Sequence, residues 1–585
     1  MSDPLFSKLK LKKAEKEIEP QEILLDRLSQ QKEKELGISE KKLETPLSRG
    51  VIRIFWLAFL VLLFLLLGKT FQLQFARGEE LTELAEQNKF IISSIEAERG
   101  VIYDRNLKQL VFNRASFDLV CQEEVFQEDL EHKDLLFYES RIDDFEGCEI
   151  KKHTVREYIS GELFSHLIGY FRPSKEKTGL ESYYDDILKS KPGQVQTERD
   201  VHDNIIAKEV ISLPESGQSL LLWLDSDLQE KITTSLEAAV KRVGGTGGVG
   251  IALDPKTGGV LALVSLPNFD ANLFSHGITS EEWQELEQDP LNPLFNRAIS
   301  GNGYLIGSTI KPFIALAALE EGIVTAEKWL DCPLELCLQN PWYPEKEDCY
   351  KDWTYHGPSD VKRAIAESVN TFFYQVGGGF EDFKGLGAVK IKQWMEKFGW
   401  DTKTNIDLPQ EGAGLLPDLE SGWFLGQTYH ISIGQGPFTI TPIQLITAYT
   451  ALLNDGKMLQ PQVVRSIIEK GEVVEEMPSF VLKKVALDSE NLALARQGMR
   501  QAVTTPGNPP NKYLAHLSVA AKTGTAQTGQ DDVYHNWVVL FAPYDDPEIL
   551  LLLMVENAQG SPGELPPAAV LPAAQEVLDW WFSTS

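Results

Sequence analysis

Cysteine and basic residues are scarce in this sequence of 585 residues. It has five Cys, and its 56 Lys and Arg are outnumbered by 86 Asp and Glu, which gives a net charge of −30. So small and odd a number of Cys excludes a disulfide-dense scaffold. The acidic balance excludes binding to nucleic acid through bulk charge, because phosphate contacts require Lys and Arg. Hydrophobic residues make up 43% of the chain, so a sizeable core is expected, in about two to four domains.

Long apolar runs are also scarce, and a single one is long enough to cross a membrane. Residues 54–75 contain Lys69 as their one charged residue. As a helix they would be about 33 Å long, close to the thickness of a hydrocarbon core. The alternatives are a buried core helix and a cleaved signal peptide. A signal peptide fits poorly because a long polar segment precedes the run and no small-residue cleavage site follows it.

The charges around the apolar run favour a cytoplasmic N-terminus. Residues 1–53 carry 12 Lys and Arg against 10 Asp and Glu. Basic residues are more frequent just before the run than just after it, and such segments tend to stay inside. We therefore predict a cytoplasmic tail (1–53), a single-pass anchor in the plasma membrane (54–75) and a remainder outside the cytoplasm.

The part after the anchor divides into two predicted domains. Residues 76–215 alternate short apolar runs with acidic, polar segments, which predicts a β-rich module with a few helices. Residues 216–585 show a helix over Asp227–Val243, a hairpin around Asp254–Gly259, further helices, late strands and a closing helix. This order predicts one sheet covered by helices.

Three short motifs in the second domain are candidates for nucleophilic catalysis. They are Ser-Thr-Ile-Lys at 308–311, Ser-Val-Asn at 368–370 and Lys-Thr-Gly-Thr at 522–525. Similar patterns recur elsewhere, in the tail, in loops and in a hairpin turn, so a single match decides nothing. Taken singly, each motif is better explained by structure alone: Ser308 as a helix cap, Asn370 as a turn residue and Lys522 as a solvated strand end. Their order and context together favour an active site.

Ser308 is placed for nucleophilic attack by the helix that follows it. Pro312 suits the first turn of a helix, and an apolar run continues from it. Lys311 lies on the same helix face as Ser308, and a buried amine can accept the hydroxyl proton because burial disfavours its charge. Lys522 ends an apolar strand, alongside which an extended peptide could add by main-chain hydrogen bonds.

These motifs and several longer segments resemble the penicillin-binding proteins, the serine D,D-transpeptidases that cross-link peptidoglycan. The resemblance covers most of residues 98–585. It implies an α+β fold, in which a penicillin-binding and β-lactamase-like transpeptidase domain (an antiparallel sheet covered by helices) follows a β-rich pedestal of the dimerisation type and a single N-terminal transmembrane helix. It implies no cofactor. The segments that carry it are residues 98–113, 177–188, 356–377, 432–445, 520–527 and 535–543.

The resemblance also implies a role for each motif residue. Ser308 would be acylated by a D-Ala-D-Ala stem peptide, with Lys311 as its general base. Ser368 would pass a proton to the leaving amine, helped by Lys522, and Asn370 would bind an amide of the donor peptide.

The rest of the third motif would bind the end of the substrate. Thr523 and Thr525, on a strand with the small Gly524 between them, would hold the terminal carboxylate. The backbone N–H groups of Ser308 and Thr525 would form an oxyanion hole, which is typically worth about 10²–10³ in rate per donor.

The resemblance is to class B, the monofunctional transpeptidases, and most of all to the elongation-type penicillin-binding protein 2 group. This implies a role in side-wall elongation and cell shape, inhibition by β-lactams, and a polytopic membrane glycosyltransferase of the shape, elongation, division and sporulation family as partner. A septal transpeptidase, a D,D-carboxypeptidase or β-lactamase-like hydrolase, and a non-catalytic scaffold for wall synthesis are the alternatives.

Three Cys close together allow more than one interpretation. Cys332, Cys337, Cys349 and His356 have a spacing that could hold zinc. A disulfide, expected between Cys332 and Cys349, is the alternative outside the cytoplasm, and free thiols in a loop are the third. Cys121 and Cys148 lie in a region too weakly patterned to interpret.

Overall fold

The protein is described from a computed structural model. It describes residues 48–81, 83, 90–122, 124–145, 147–172, 176–199, 205–340, 343, 345–420, 422–560 and 569–584, together with a few residues between 28 and 37. The predicted tail therefore lies largely outside the described residues. The chain forms two compact units, one of residues 1–91 and 197–207 and one of residues 92–196 and 208–585.

The first long helix is apolar on all sides. Helix α1 spans Arg49–Phe71 and continues as a π-helical turn at Gln72–Ala76. Ser48 caps its start by accepting a hydrogen bond from the N–H of Val51. None of its side chains is buried. Among the described residues it is the one helix long and apolar enough to cross a membrane, which supports a membrane-anchored protein.

The region after the anchor is rich in strands, as the sequence predicts. The long strands β3 and β5 pair antiparallel from end to end, and β4 extends their sheet. A second sheet has the order β1-β6-β7. The elements are β1 (Phe90–Ile95), β2 (Ile102–Tyr103), β3 (Val111–Cys121), β4 (Glu124–Gln127), α2 (His132–Glu139), a 3₁₀ turn (Ile142–Asp144), β5 (Cys148–Tyr158), α3 (Gly179–Tyr183), α4 (Asp185–Leu188), β6 (Gly193–Arg199) and β7 (Ile205–Ser212).

A buried charge cluster ties these elements together. The fully buried carboxylate of Glu181, in α3, accepts hydrogen bonds of 2.7 Å from both Arg99 and Arg156. Arg99 also binds Asp185 at 2.8 Å. Separating one partner from a buried ion pair leaves an unpaired charge, which is strongly destabilising. The cluster therefore holds the Lys-Thr-Gly-Leu-Glu segment in place.

A five-stranded antiparallel sheet forms the centre of the C-terminal domain. Its order is β10-β9-β19-β18-β17, so β17 is an edge strand. The strands of this domain are β8 (Ser219–Leu222), β9 (Gly247–Leu253), β10 (Val260–Leu266), β11 (Glu335–Gln339), β12 (Glu347–Lys351), β13 (Lys457–Leu459), β14 (Val464–Glu469), β15 (Glu472–Glu476), β16 (Val481–Lys484), β17 (Ala520–Gln527), β18 (Val533–Ala542) and β19 (Ile549–Gln559).

Helices cover both faces of this sheet. Asp225 caps the first of them by accepting hydrogen bonds from the N–H groups of Asp227 and Leu228. The helices are α5 (Ser226–Arg242), α6 (Ala271–His276), α7 (Ser280–Gln288), a 3₁₀ turn (Gly307–Ile310), α8 (Lys311–Glu320), α9 (Val361–Ala366), α10 (Asn370–Gly378), α11 (Ala388–Lys397), α12 (Leu425–Ser432), α13 (Pro442–Leu453), α14 (Ser489–Thr504), α15 (Pro509–Leu514) and α16 (Val570–Thr584).

Alternate residues of the sheet belong to two apolar clusters. In β18, Val538 and Leu540 join a cluster that includes side chains of α5 and α16, whereas Val539 and Phe541 join a cluster that includes side chains of α8 and α13. Every side chain of α8 from Lys311 to Leu319 is buried. The predicted α+β class, with an antiparallel sheet covered by helices, is confirmed.

Candidate active site

The turn that carries Ser308 is held tightly against strand β17. Ser308 lies in the 3₁₀ turn Gly307–Ile310, which leads directly into α8, and it is half-buried. Gly307 has φ 53°, and a Cβ there would lie 2.7 Å from the carbonyl oxygen of Thr525. A Cβ at Gly524 would lie 2.7 Å from the carbonyl oxygen of Ile306. Glycine is required on both sides because the two backbones approach so closely.

Two further contacts hold this turn from behind. The N–H of Gly307 donates to the carbonyl of Gly434 at 2.9 Å, and the hydroxyl of Tyr449 donates to the carbonyl of Thr309 at 2.7 Å. The Ser308 hydroxyl itself makes no hydrogen bond with the part of the chain that the structure describes. It is therefore available to a ligand that lies beside β17.

Lys311 is fully buried at the start of α8 and makes three hydrogen bonds to the second motif. Its Nζ donates to the carbonyl of Ser368 at 2.7 Å, to Oδ1 of Asn370 at 2.7 Å and to the hydroxyl of Ser368 at 3.2 Å. Since the Oδ1 of Asn370 is occupied by Lys311, the amide NH₂ of Asn370 can donate to a substrate carbonyl.

Ser368 lies in the turn between α9 and α10 and contacts both lysines. Lys522, buried in β17, donates to the Ser368 hydroxyl at 3.0 Å and to the carbonyl of Thr523 at 2.9 Å. The hydroxyl oxygen of Ser368 thus accepts from two amines, which leaves its own proton to be donated elsewhere. Ser368 has φ 57°, a left-handed conformation that is costly for a residue with a side chain.

Burial changes the acid-base properties of both lysines. Burial lowers the pKa of Lys311 to about 7, although the Asp352 carboxylate acts to raise it. Burial, and then the charge of Lys311, lowers the pKa of Lys522 well below its usual value. An amine whose pKa lies near neutrality can accept a proton and return it in the same reaction.

Two family models match the chain. Residues 248–575, more than half of the sequence, match the penicillin binding protein transpeptidase domain, and residues 122–222 match the penicillin-binding protein dimerisation domain.

This chain belongs to the penicillin-binding protein transpeptidase family.

Similar proteins include the peptidoglycan D,D-transpeptidase MrdA of Escherichia coli (strain K12), which is 30% identical over 87% of this chain and 91% of the relative. A chain of a peptidoglycan synthase complex, solved in a study of how polymerization and crosslinking are coordinated, is 25% identical over 92% of this chain and 99% of its own, with a TM-score of 0.70. Pseudomonas aeruginosa PBP2 in complex with WCK 5153 is 29% identical over 83% and 96%, with a TM-score of 0.62. The resemblance to penicillin-binding protein 2 is confirmed.

The third motif of this penicillin-binding protein lies on the edge of the sheet. Strand β17 pairs with β18 on one side, with Lys522 opposite Val539 and Thr525 opposite Asn536. Thr523 and Thr525 are half-buried, and their hydroxyls make no hydrogen bond with other described residues. These hydroxyls and the outer edge of β17 are therefore available to an extended ligand.

Of the eight residues predicted to form the site, the structure joins Lys311, Ser368, Asn370 and Lys522 directly by hydrogen bonds. Ser308 is placed beside them by the packing of its turn on β17. Sequence reasoning did not identify Asp352, whose buried carboxylate accepts from the backbone N–H of Thr371 at 2.8 Å. It is separated from α10 by a loop and a helix, so no local pattern in the sequence indicates it.

The cysteine predictions require correction. Cys337 and Cys349 face each other in the hairpin β11–β12 and form a disulfide, whereas Cys332 is free and buried. The predicted pair of Cys332 with Cys349 is therefore wrong, since the register of the hairpin selects Cys337. The set of four residues considered for zinc is not assembled, because two of its thiols are joined to each other. His356 instead contacts Glu367, its Nδ1 lying 3.0 Å from Oε2.

A second disulfide was not predicted. Cys121 and Cys148 are directly opposite each other in the pair β3–β5 and are bonded. Both disulfides therefore link the two strands of an antiparallel pair.

Proposed function

We propose that this penicillin-binding protein is a membrane-anchored peptidoglycan D,D-transpeptidase that cross-links stem peptides through an acyl-enzyme on Ser308. The observation that carries the proposal is the pair of hydrogen bonds from Lys311 and Lys522 to the hydroxyl of Ser368, at 3.2 and 3.0 Å. It provides a proton path beside the predicted nucleophile. The similarity to MrdA over most of both chains supports the same activity.

In the first step a D-Ala-D-Ala stem peptide acylates the enzyme. The hydroxyl oxygen of Ser308 attacks the carbonyl of the penultimate D-Ala while neutral Lys311 takes the hydroxyl proton. The backbone N–H groups of Ser308 and Thr525 stabilise the oxyanion. The C–N bond then breaks, and the leaving amine of the terminal D-Ala receives the proton from Lys311 through the hydroxyl of Ser368.

In the second step an amine of another stem peptide resolves the ester. The amine attacks the acyl carbonyl and loses its proton to Lys311 through Ser368. The C–O bond to Ser308 breaks, and Lys311 returns the proton to the serine oxygen. A new peptide bond is formed and the enzyme is restored. Lys522 assists by fixing the orientation of the Ser368 hydroxyl.

The substrate is held along β17 and by Asn370. An extended donor peptide would pair with the open edge of β17, since unpaired main-chain groups there match those of a peptide. The hydroxyls of Thr523 and Thr525 would bind its terminal carboxylate. Gly524 has no side chain, which allows the turn that carries Ser308 to pack close to the strand. The NH₂ group of Asn370 would donate to a backbone carbonyl of the donor.

The acyl-enzyme can be tested with a β-lactam, which acylates the same serine. Full-length protein in detergent is incubated with fluorescent penicillin, and the labelled peptide is mapped by mass spectrometry. We expect one adduct, on Ser308, which is absent from the Ser308→Ala variant. Labelling of the variant, or no labelling of the wild type, contradicts the proposal. Rapid hydrolysis of the adduct would instead favour a β-lactamase-like hydrolase.

The role in elongation is proposed from the similarity to MrdA and to the PBP2 structure. The domain limits 1–53, 54–75, 76–215 and 216–585, with the first segment in the cytoplasm, belong to the same proposal. A similar chain lies in a peptidoglycan synthase complex that coordinates polymerization and crosslinking, and on this ground we propose a polytopic membrane glycosyltransferase as the partner. Expression in E. coli depleted of MrdA tests the role. Failure to restore growth and cell shape, although the protein is stable and labelled by penicillin, contradicts the proposed elongation role.

A further inference from the structure

The segment after strand β12 contacts the second motif from its C-terminal side. The side chain of Asp352 is fully buried, and its Oδ2 accepts hydrogen bonds from the N–H and the hydroxyl of Thr371 at 2.8 and 3.0 Å. Helix α10 begins at Asn370, and the residue before it, Val369, supplies no capping side chain. Asp352 therefore caps α10 from a distant segment, where a carboxylate also complements the helix dipole.

The same segment contacts the second motif from its N-terminal side. Nδ1 of His356 lies 3.0 Å from Oε2 of Glu367, the residue directly before Ser368. Glu367 also accepts a hydrogen bond of 2.8 Å from Arg363. His356 is buried, and its Nε2 lies 3.6 Å from Asp352. Two neighbouring side chains of one loop thus fix both ends of residues 367–371.

The turn between these two contacts needs such support. Ser368 has a left-handed backbone, a strained conformation that persists only where the surroundings hold it. Its carbonyl and hydroxyl, together with the side chain of Asn370, lie within hydrogen-bond distance of the Lys311 amine. A small displacement of this turn would separate Ser368 from Lys311 and Lys522.

We propose that Asp352 and His356 are positioning residues for acyl transfer, which hold residues 367–371 from both sides so that the Ser368 hydroxyl stays between the two lysines. The inference rests on the proposed function. Neither residue touches the Ser308 hydroxyl, and the hydrogen bonds of both are to residues 367 and 371, which flank Ser368 and Asn370. Because the carboxylate of Asp352 also raises the pKa of Lys311, acylation is compared on the alkaline plateau of each variant's pH profile, where Lys311 is neutral. Removing either contact should slow the proton relay and leave the nucleophile itself in place.

The test measures the second-order rate constant of acylation of the full-length protein by fluorescent penicillin. We expect Asp352→Asn to slow acylation by about tenfold to a hundredfold, as a displacement of about 1 Å does in other sites. The matched control is Asp225→Asn, which changes a carboxylate that caps α5 and should leave the rate unchanged. Melting temperatures are recorded for each variant.

A double-mutant cycle separates positioning from a general loss of structure. In a Ser368→Ala background, Asp352→Asn should slow acylation by less than about threefold, because the hydroxyl that it positions is already absent. The same loss in both backgrounds, or an unchanged rate in the single variant, overturns the inference. Should Asp352→Asn fail to fold, the cycle of His356→Ala with Ser368→Ala decides by the same criterion. A wild type that forms no adduct overturns the proposed function and this inference with it.

Discussion

The amine of Lys522 donates a hydrogen bond of 3.0 Å to the hydroxyl of Ser368, across 154 positions of the sequence. This bond links the edge strand of the sheet to the turn before α10. Lys311 reaches the same oxygen from a third element, α8. Because two donors occupy the lone pairs of Ser368, the orientation of its proton is fixed. Each of the three motifs thus contributes one element to the candidate site.

Acylation should depend on pH through Lys311. Its pKa is lowered to about 7 by burial, so the neutral form that accepts the Ser308 proton is populated above that pH and lost below it. The rate constant with fluorescent penicillin should rise with a midpoint near pH 7 and fall about tenfold for each further unit towards acid. Tryptophan fluorescence over the same range checks that the fold is intact. A rate that is flat between pH 5.5 and 9 would exclude Lys311 as the base.

Removal of the Ser368 hydroxyl should affect activity and stability differently, depending on the replacement. Ser368→Ala and Ser368→Gly both remove the relay, so acylation should fall about 10²–10⁴-fold in both. Glycine tolerates φ 57°, whereas alanine does not, so the glycine variant should be more stable by about 1 kcal/mol. Urea unfolding of the two variants measures the difference. Equal stability would show that the turn is not strained.

The close approach of β17 to the Ser308 turn should not tolerate a methyl group. Gly524→Ala places a Cβ 2.7 Å from the carbonyl of Ile306 and should move the strand, with a loss of acylation of tenfold or more. The control is Gly471→Ala, where φ is 85° but no atom lies within 4 Å of the new Cβ. It should lower stability by about 1 kcal/mol and leave acylation unchanged. If the two variants are acylated at the same rate, the close approach of Gly524 to the carbonyl of Ile306 is not required for acylation.

The disulfide assignment can be tested by counting thiols. The native protein should not react with a maleimide, because Cys332 is buried. After denaturation without reductant we expect one labelled thiol per chain, at Cys332, and a peptide that joins Cys337 to Cys349. After reduction all five Cys should react. Two labelled Cys in the hairpin before reduction would contradict the pairing, and Cys332→Ala serves as the blank.

Local patterns were sufficient to predict most of the elements that carry the site. Pro312 and the apolar run after it predict helix α8, and the apolar spacing of residues 227–243 predicts α5, since both signals lie within a single helix. The predicted late strands are confirmed as β17, β18 and β19. The membrane helix follows from length and composition alone. Each of these elements is determined by residues that are close together in the sequence, so a single sequence is enough to predict it.

Contacts between distant segments could not be predicted in this way. The partner of Cys349 is determined by the register of β11 against β12. The spacing of the cysteines in the sequence does not indicate this register. The capping of α10 by Asp352 depends on the path of the intervening loop. The left-handed conformation of Ser368 is stabilised by its partners and has no signature in the Ser-Val-Asn motif. Tertiary packing decides all three.

The burial of α8 limits how this protein can evolve. Each position from Lys311 to Leu319 is enclosed on every side, so most replacements there would leave a cavity or introduce a steric clash. Selection by a drug directed at Ser308 therefore has little freedom in the helix itself. Heritable resistance should arise in the exposed segments around Ser308, where a substitution can hinder the inhibitor without unfolding its target.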